Sequence, residues 1–240
     1  MASSGWNVHG GPRPKIYLSR SRRRRATKKQ KKATSSVSRA PSGATDIYGV
    51  KLVWTKSLQM DQSSGTKYDN NVIFSDIRLP IAGATYQPLG YDQWTTQYAA
   101  WLVRGMKLNC TFINDTDVNM VISVCPRREG IGGADASIAT SLMRPYTKYI
   151  TLGKDTGSNK GRIRHYASTR AVLGLRNLEL TDTDYVGVVG DATTPKFPTY
   201  WHINAFSADD TTTTFTVNAV IRVTYYVTFF RRNSLAPSAV

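Results

Sequence analysis

The chain has 240 residues, with 32 Lys/Arg against 16 Asp/Glu and a formal net charge of +16. So basic a balance points to a polyanionic partner, while no apolar run approaches the ~20 residues that span a bilayer, which argues against membrane insertion. The first residues also lack the apolar stretch of a secretory signal, so cytosol or nucleus is the expected compartment.

Charge is distributed unevenly. Residues 1–45 carry Arg13, Lys15, Arg20, Arg22, Arg23, Arg24, Arg25, Lys28, Lys29, Lys31, Lys32 and Arg39, and the first acid is Asp46. The arm therefore holds +12, and residues 46–240 hold +4 (20 basic minus 16 acidic). A segment with that much self-repulsion and so little apolar surface cannot offset its ordering entropy, so it is expected to be a disordered arm. Ala33 to Thr45 reads as a flexible tether rich in Ser, with Pro41 and Gly43. The expected chemistry of the arm is phosphate neutralisation with counterion release, blind to base sequence. Its Arg/Lys blocks also read as a nuclear-import signal.

After the arm the dominant period is two. Tyr48, Val50, Leu52, Trp54, Leu58 and Met60 share one parity, broken at Lys56, and predict a strand. Another candidate lies near 71–79. Tyr91, Trp94, Tyr98 and Trp101 or Leu102 then fall at helical spacing with Asp92 in the first turn, so a short helix with an aromatic face is predicted. Leu102, Met106, Leu108, Cys110 and Phe112 return to strand period with Arg104 as the exception. Val118, Met120, Ile122 and Val124 continue it beyond an Asn114–Asp117 turn. A second short helix is expected from near Asp135, stopping before Pro145. Strands near 146–152, 161–168 and 199–207 follow. The clearest signal comes last: from Phe215 to Phe229 every odd position is apolar and most even ones are polar. About eight strands separated by turn residues make residues 46–240 one all-β domain of two antiparallel sheets packed face to face, with helical inserts in the loops.

Few residues suggest a site of chemistry. Lys160, Arg162 and Arg164 share one strand parity, which fits either an inward extension of a phosphate-binding surface or a plain solvated face. The acid pairs Asp115/Asp117, Asp182/Asp184 and Asp209/Asp210 lack the twelve-residue calcium loop and suit turns. Three His and two Cys give no metal-ligand spacing, so neither metal nor cofactor is expected. Cys110 and Cys125 read as free, buried thiols. There is no G-x-S-x-G, no H-E-x-x-H and no glycine-rich phosphate loop. Gly130–Gly133 reads as a loop, and His165 and His202 read as structural. An enzyme is not expected.

One segment goes beyond composition. Residues 89–107 run Leu-Gly-Tyr-Asp-Gln-Trp, then Tyr98, Trp101-Leu-Val103, Gly105 and Lys107. This resembles the aromatic Asp-Gln-Trp turn, Tyr-bearing helix and Val-x-Gly-x-Lys strand of capsid proteins from circular, replication-protein-encoding single-stranded DNA viruses, the circovirus-like group. Tyr166-Ala-Ser-Thr-Arg170-Ala-Val-Leu-Gly174, the basic arm and the long final strand are similar to that group as well. The resemblance implies an eight-stranded antiparallel jelly roll with its arm turned inward, sixty copies of which close an icosahedral shell around circular single-stranded DNA. It implies a virion protein that assembles in the host nucleus, with the nuclear-import machinery as a further partner. Tyr91, Asp92, Gln93, Trp94 and Tyr98 would then be structural, bracing a loop or a subunit contact. Sixty arms would supply about 720 positive charges, the right order for roughly one to two thousand phosphates. Satellite RNA-virus capsids share the architecture and a basic arm, and phosphate contacts do not separate DNA from RNA. A cellular nucleic-acid-binding β protein is the rival from another class.

Overall fold

A computed structural model describes residues 46–61, 68–81, 86–128, 137–154, 157–208 and 214–233, with the backbone alone for 68–71. The basic arm, the Gly130–Gly133 cluster, Asp209 and Asp210 lie outside the described residues.

Alternation dictates the architecture. In the last strand, β9 (Thr216–Arg232), Val217, Ala219, Ile221, Val223, Tyr225, Val227 and Phe229 are all buried, and the residues between them point away from the core. Successive side chains of a strand face opposite sides, so this sequence fits one dry and one wet face. Each large apolar side chain so buried stabilises the fold by about 1.5–3 kcal/mol. β9 is the spine of its sheet: it pairs antiparallel with β1 (Ile47–Asp61) on one side and β3 (Tyr98–Asn114) on the other.

The other elements are β2 (Tyr68–Phe74), α1 (Tyr91–Thr95), β4 (Met120–Arg127), α2 (Ile138–Met143), β5 (Lys148–Leu152), β6 (Lys160–Ser168), α3 (Thr169–Leu173), β7 (Gly187–Val188) and β8 (Tyr200–Ser207). One sheet has the order β1-β9-β3-β6, with β7 pairing an end of β3; the second has the order β2-β8-β4-β5. All pairings are antiparallel. Setting aside the two-residue β7, eight strands divide four and four between two sheets in the jelly-roll order, with β4 and β5 the one consecutive pair within a sheet. The chain is an eight-stranded antiparallel jelly-roll sandwich with short helical inserts.

The core fills the space between the sheets. Leu52, Trp54 and Met60 from β1, Leu108, Cys110 and Phe112 from β3, and the odd residues of β9 meet Met120, Ile122 and Val124 of β4 and Trp201, Ile203 and Ala205 of β8. Tyr225 spans the layers, its hydroxyl donating to the Phe74 carbonyl at 3.2 Å. Burial pushes the Cys110 thiol up to about 12, so it remains a neutral hydrophobe; both cysteines are free. Among the described residues no helix is long and apolar enough to cross a membrane.

Two sequence expectations need correction. Leu102 does not share a face with Met106. The register of β3 against β9 steps from Val103↔Val227 to Gly105↔Tyr226, so Arg104 is an extra, bulged residue. Before the bulge Trp101 and Val103 face the main core, whereas Ala100 and Leu102 join Leu178, Val186 and Phe230 in a second cluster. The aromatic helix is also shorter than its spacing suggests. α1 ends at Thr95, and Tyr98 opens β3, paired with Arg232. The unforeseen helix, α3, is capped by the Ser168 hydroxyl accepting from the Ala171 amide, and it ends at Gly174 with φ 69°.

Candidate nucleic-acid interface

The outward face of the five-stranded sheet gathers six of the twenty basic residues of the body. Because strand partners lie about 4.8 Å apart and same-face neighbours two residues on, the pairing register lays this face out in rows across β1, β9, β3 and β6. The rows are Lys51–Tyr226–Gly105–Ser168, Val53–Thr224–Lys107–Tyr166, Thr55–Arg222–Asn109–Arg164, Ser57–Val220–Thr111–Arg162 and Gln59–Asn218–Ile113–Lys160. Five rows of four contain six cations and no carboxylate. The nearest acids stand at one end, Asp61 opposite Thr216 in the next row and Asp115 bonded to Asn218, so the positive field is unopposed over the rest of the face.

Lys160, Arg162 and Arg164 do lie together on one exposed strand face, with Ile163 buried between the two arginines and His165 buried after them. They are joined by residues whose grouping the sequence did not reveal. Lys107, Asn109, Arg162, Arg164, Arg222 and Thr224 line a surface depression of about 290 Å³. Arg162 Nε donates to Asn109 Oδ1 at 2.7 Å, which fixes the guanidinium beside that depression. The Arg164 carbonyl accepts from Lys148 Nζ at 2.9 Å. Guanidinium forks and a mobile ammonium around one hollow suit an oxyanion such as phosphate. Lys51 stands at the other side of the face, its ammonium 5.7 Å from the centre of the Tyr226 ring. Strand parity was the available signal for Lys51 and Arg222, but only register shows that they share this face with β6.

The aromatic motif proves to be a brace. Trp94 stacks on Tyr48 (centroids 4.9 Å apart, planes at 20°) and on Phe229 (5.9 Å, 21°), with Tyr98 at 6.2 Å. Tyr91 is buried beneath α1, and burial pushes its phenol up to about 12. Asp92 and Gln93 are exposed and contribute backbone, the Asp92 carbonyl accepting from the Thr96 amide at 3.2 Å. These residues pin the turn before β3 against β1 and β9 and hold the sheet that carries the cations.

The other candidates resolve into structure. His165 is buried edge-on to Trp201 with ring centroids 5.0 Å apart, and burial, then Lys148, holds its imidazole below the usual range. His202 is buried in β8. Asp115 accepts a hydrogen bond from Asn218, Asp117 pairs with Lys154 at 3.3 Å and Asp184 pairs with Lys196 at 3.5 Å, so each ties a loop. Among the described residues no group of three or more His, Cys, Asp or Glu is placed to hold a metal ion.

No protein-family model matches the sequence, and no curated protein matches it. Solved structures share the strand layout at low identity. A structure of Mud crab tombus-like virus is 11% identical with a TM-score of 0.44, over 80% of this chain and 84% of that one. A 60-mer of the BFDV capsid protein is 11% identical, also at 0.44, over 80% and 98%. Cocksfoot mottle virus is 10% identical at 0.44, over 79% and 97%. Scores at this level add nothing to what the strand order establishes by itself.

Proposed function

We propose that this chain is a viral capsid protein which self-assembles into a small icosahedral shell of sixty copies and packages circular single-stranded DNA. The observation that carries the proposal is a jelly roll with one outer sheet face bearing Lys51, Lys107, Lys160, Arg162, Arg164 and Arg222 in five rows that themselves hold no acid. The strand at one edge of that sheet, β1, directly follows a sequence arm of charge +12. The division of labour follows from the chemistry. The sandwich supplies a rigid shape and subunit contacts, and residues 1–45 neutralise phosphate by charge alone. The sheet face adds a smaller cationic lining, and the Arg/Lys blocks of the arm serve nuclear import before assembly. The role is structural rather than enzymatic.

Purified full-length protein tests this directly. Negative-stain images and mass photometry should show closed particles of about 1.6 MDa, sixty chains of 26.6 kDa each. Monomers or small oligomers would overturn the shell and favour a cellular nucleic-acid-binding protein. Nuclease treatment of opened particles should destroy their cargo with DNase; cargo destroyed by RNase instead would assign the shell to an RNA virus.

A further inference from the structure

Phosphate neutralisation needs cations only, yet the cationic face also displays an aromatic ring. Tyr166 is 55% exposed on the edge strand β6, in the row of Lys107. A lone exposed tyrosine would need no explanation, but this one is positioned by three separate features. Its ring meets the Tyr226 ring edge-on, centroids 5.7 Å apart and planes at 86°, reaching across β3 to do so. The space for that reach comes from Gly105: a Cβ there would stand 2.9 Å from the Tyr166 hydroxyl. Cations surround the pair, with Lys107 opposite Tyr166 in the β-ladder and Lys51 over the Tyr226 ring. The cation-lined hollow begins one step further along the strand, at Arg164, roughly 6.6 Å from Tyr166 by the usual rise.

We infer that this face is a binding track for unpaired nucleotides, with Tyr166 as the platform on which a base stacks while Arg164, Arg222 and Lys107 hold the adjoining phosphates. The inference rests on the packaging proposal and names the form of nucleic acid the body accepts. A base in a duplex has both π-faces taken by its neighbours, so a fixed ring on a flat sheet cannot reach one without unstacking it. In a single strand the face is free, and stacking is tolerant of sequence because every base has one. The cations then confer affinity for any polynucleotide, and Tyr166 confers preference for the single-stranded form. Gly105 is a positioning residue, since it leaves the gap in which the ring lies.

The test uses full-length protein and a 5-bromodeoxyuridine-substituted oligonucleotide, either single-stranded or annealed to its complement. After near-ultraviolet irradiation and proteolysis, mass spectrometry locates the adducts. The expected result is an adduct on the peptide containing Tyr166 with the single strand, reduced about tenfold or more with the duplex, in keeping with the loss of one stacked base. Tyr166→Leu should abolish that adduct, and Tyr166→Phe, which retains the ring, should keep it. Adducts confined to residues 1–45, or equal yields from both probes, would overturn the inference while leaving packaging intact. Failure of the full chain to retain any nucleic acid would instead overturn the packaging proposal.

Discussion

The two sheets of the sandwich share one core but differ on their backs. The outward face of the five-stranded sheet is open along β6 and the middle of β9, and it presents cations. The outward face of the four-stranded sheet is closed over its two central strands: every residue of β4 is buried, and every residue of β8 except Tyr200, while the edge strand β5 stays largely exposed. The cross-strand pair Ser123–Asn204 meets α2, and Cys125, opposite His202, meets the turn that follows it. Ser141 of α2 sits 2.6 Å from the Ser123 hydroxyl and accepts from Asn204 Nδ2 at 3.1 Å, and Cys125 Sγ lies 3.8 Å from the Pro145 carbonyl. One sheet thus turns a charged surface to its surroundings, and the other spends its second face on internal cohesion. A β-sandwich can separate binding from stability in this way because the sides of each strand are independent.

The largest expected effect removes the arm. Deleting residues 1–40 should leave the circular dichroism of the sandwich unchanged while packaged nucleic acid falls to background, read as the 260/280 nm ratio of particles purified in high salt. Retention of cargo by the truncated protein would mean that the open face, not the arm, dominates binding. On the closed face, Ser141→Ala takes one shared partner from both Ser123 and Asn204, and should cost about 1–3 kcal/mol of stability in denaturant unfolding. A loss near zero would show that α2 merely rests on the sheet. The smallest effect sharpens the contrast from the other side. Arg222→Ala should leave stability within about 0.5 kcal/mol, yet reduce the logarithmic salt slope for single-strand binding by about 0.7 if one phosphate contact is lost. An unchanged slope would remove Arg222 from the interface.

The same contrast explains what the sequence disclosed. β9 was legible because one of its sides is wet, so polar and apolar residues alternate from Thr216 to Thr228. The grouping of Lys160, Arg162 and Arg164 was legible for the same reason. In β4 and β8 both sides are dry, so the polar Ser123, His202 and Asn204 sit at buried positions and carry no sign of facing a helix. Leu102 was misplaced because a bulge adds a residue without any marker in composition. Tyr98 fell on helical spacing with Tyr91 and Trp94, but pairing with β9 overrode that local preference. Lys51, Lys107 and Arg222 come from strands far apart in sequence, and only inter-strand register unites them with β6.

The bulge at Arg104 has one further consequence. It works as a phase inverter: upstream of it odd-numbered residues of β3 point inward, and downstream the even-numbered ones do. Excising that single arginine would restore a continuous period through the strand. Trp101 and Val103 would keep facing the core and Ala100 and Leu102 the second cluster, because the pairing on either side of the bulge is already in phase. A one-codon deletion there would instead remove the local bend a bulge supplies and the Arg104 hydrogen bonds to the Thr228 hydroxyl and the Leu178 carbonyl, leaving every core side chain of the strand on its own side.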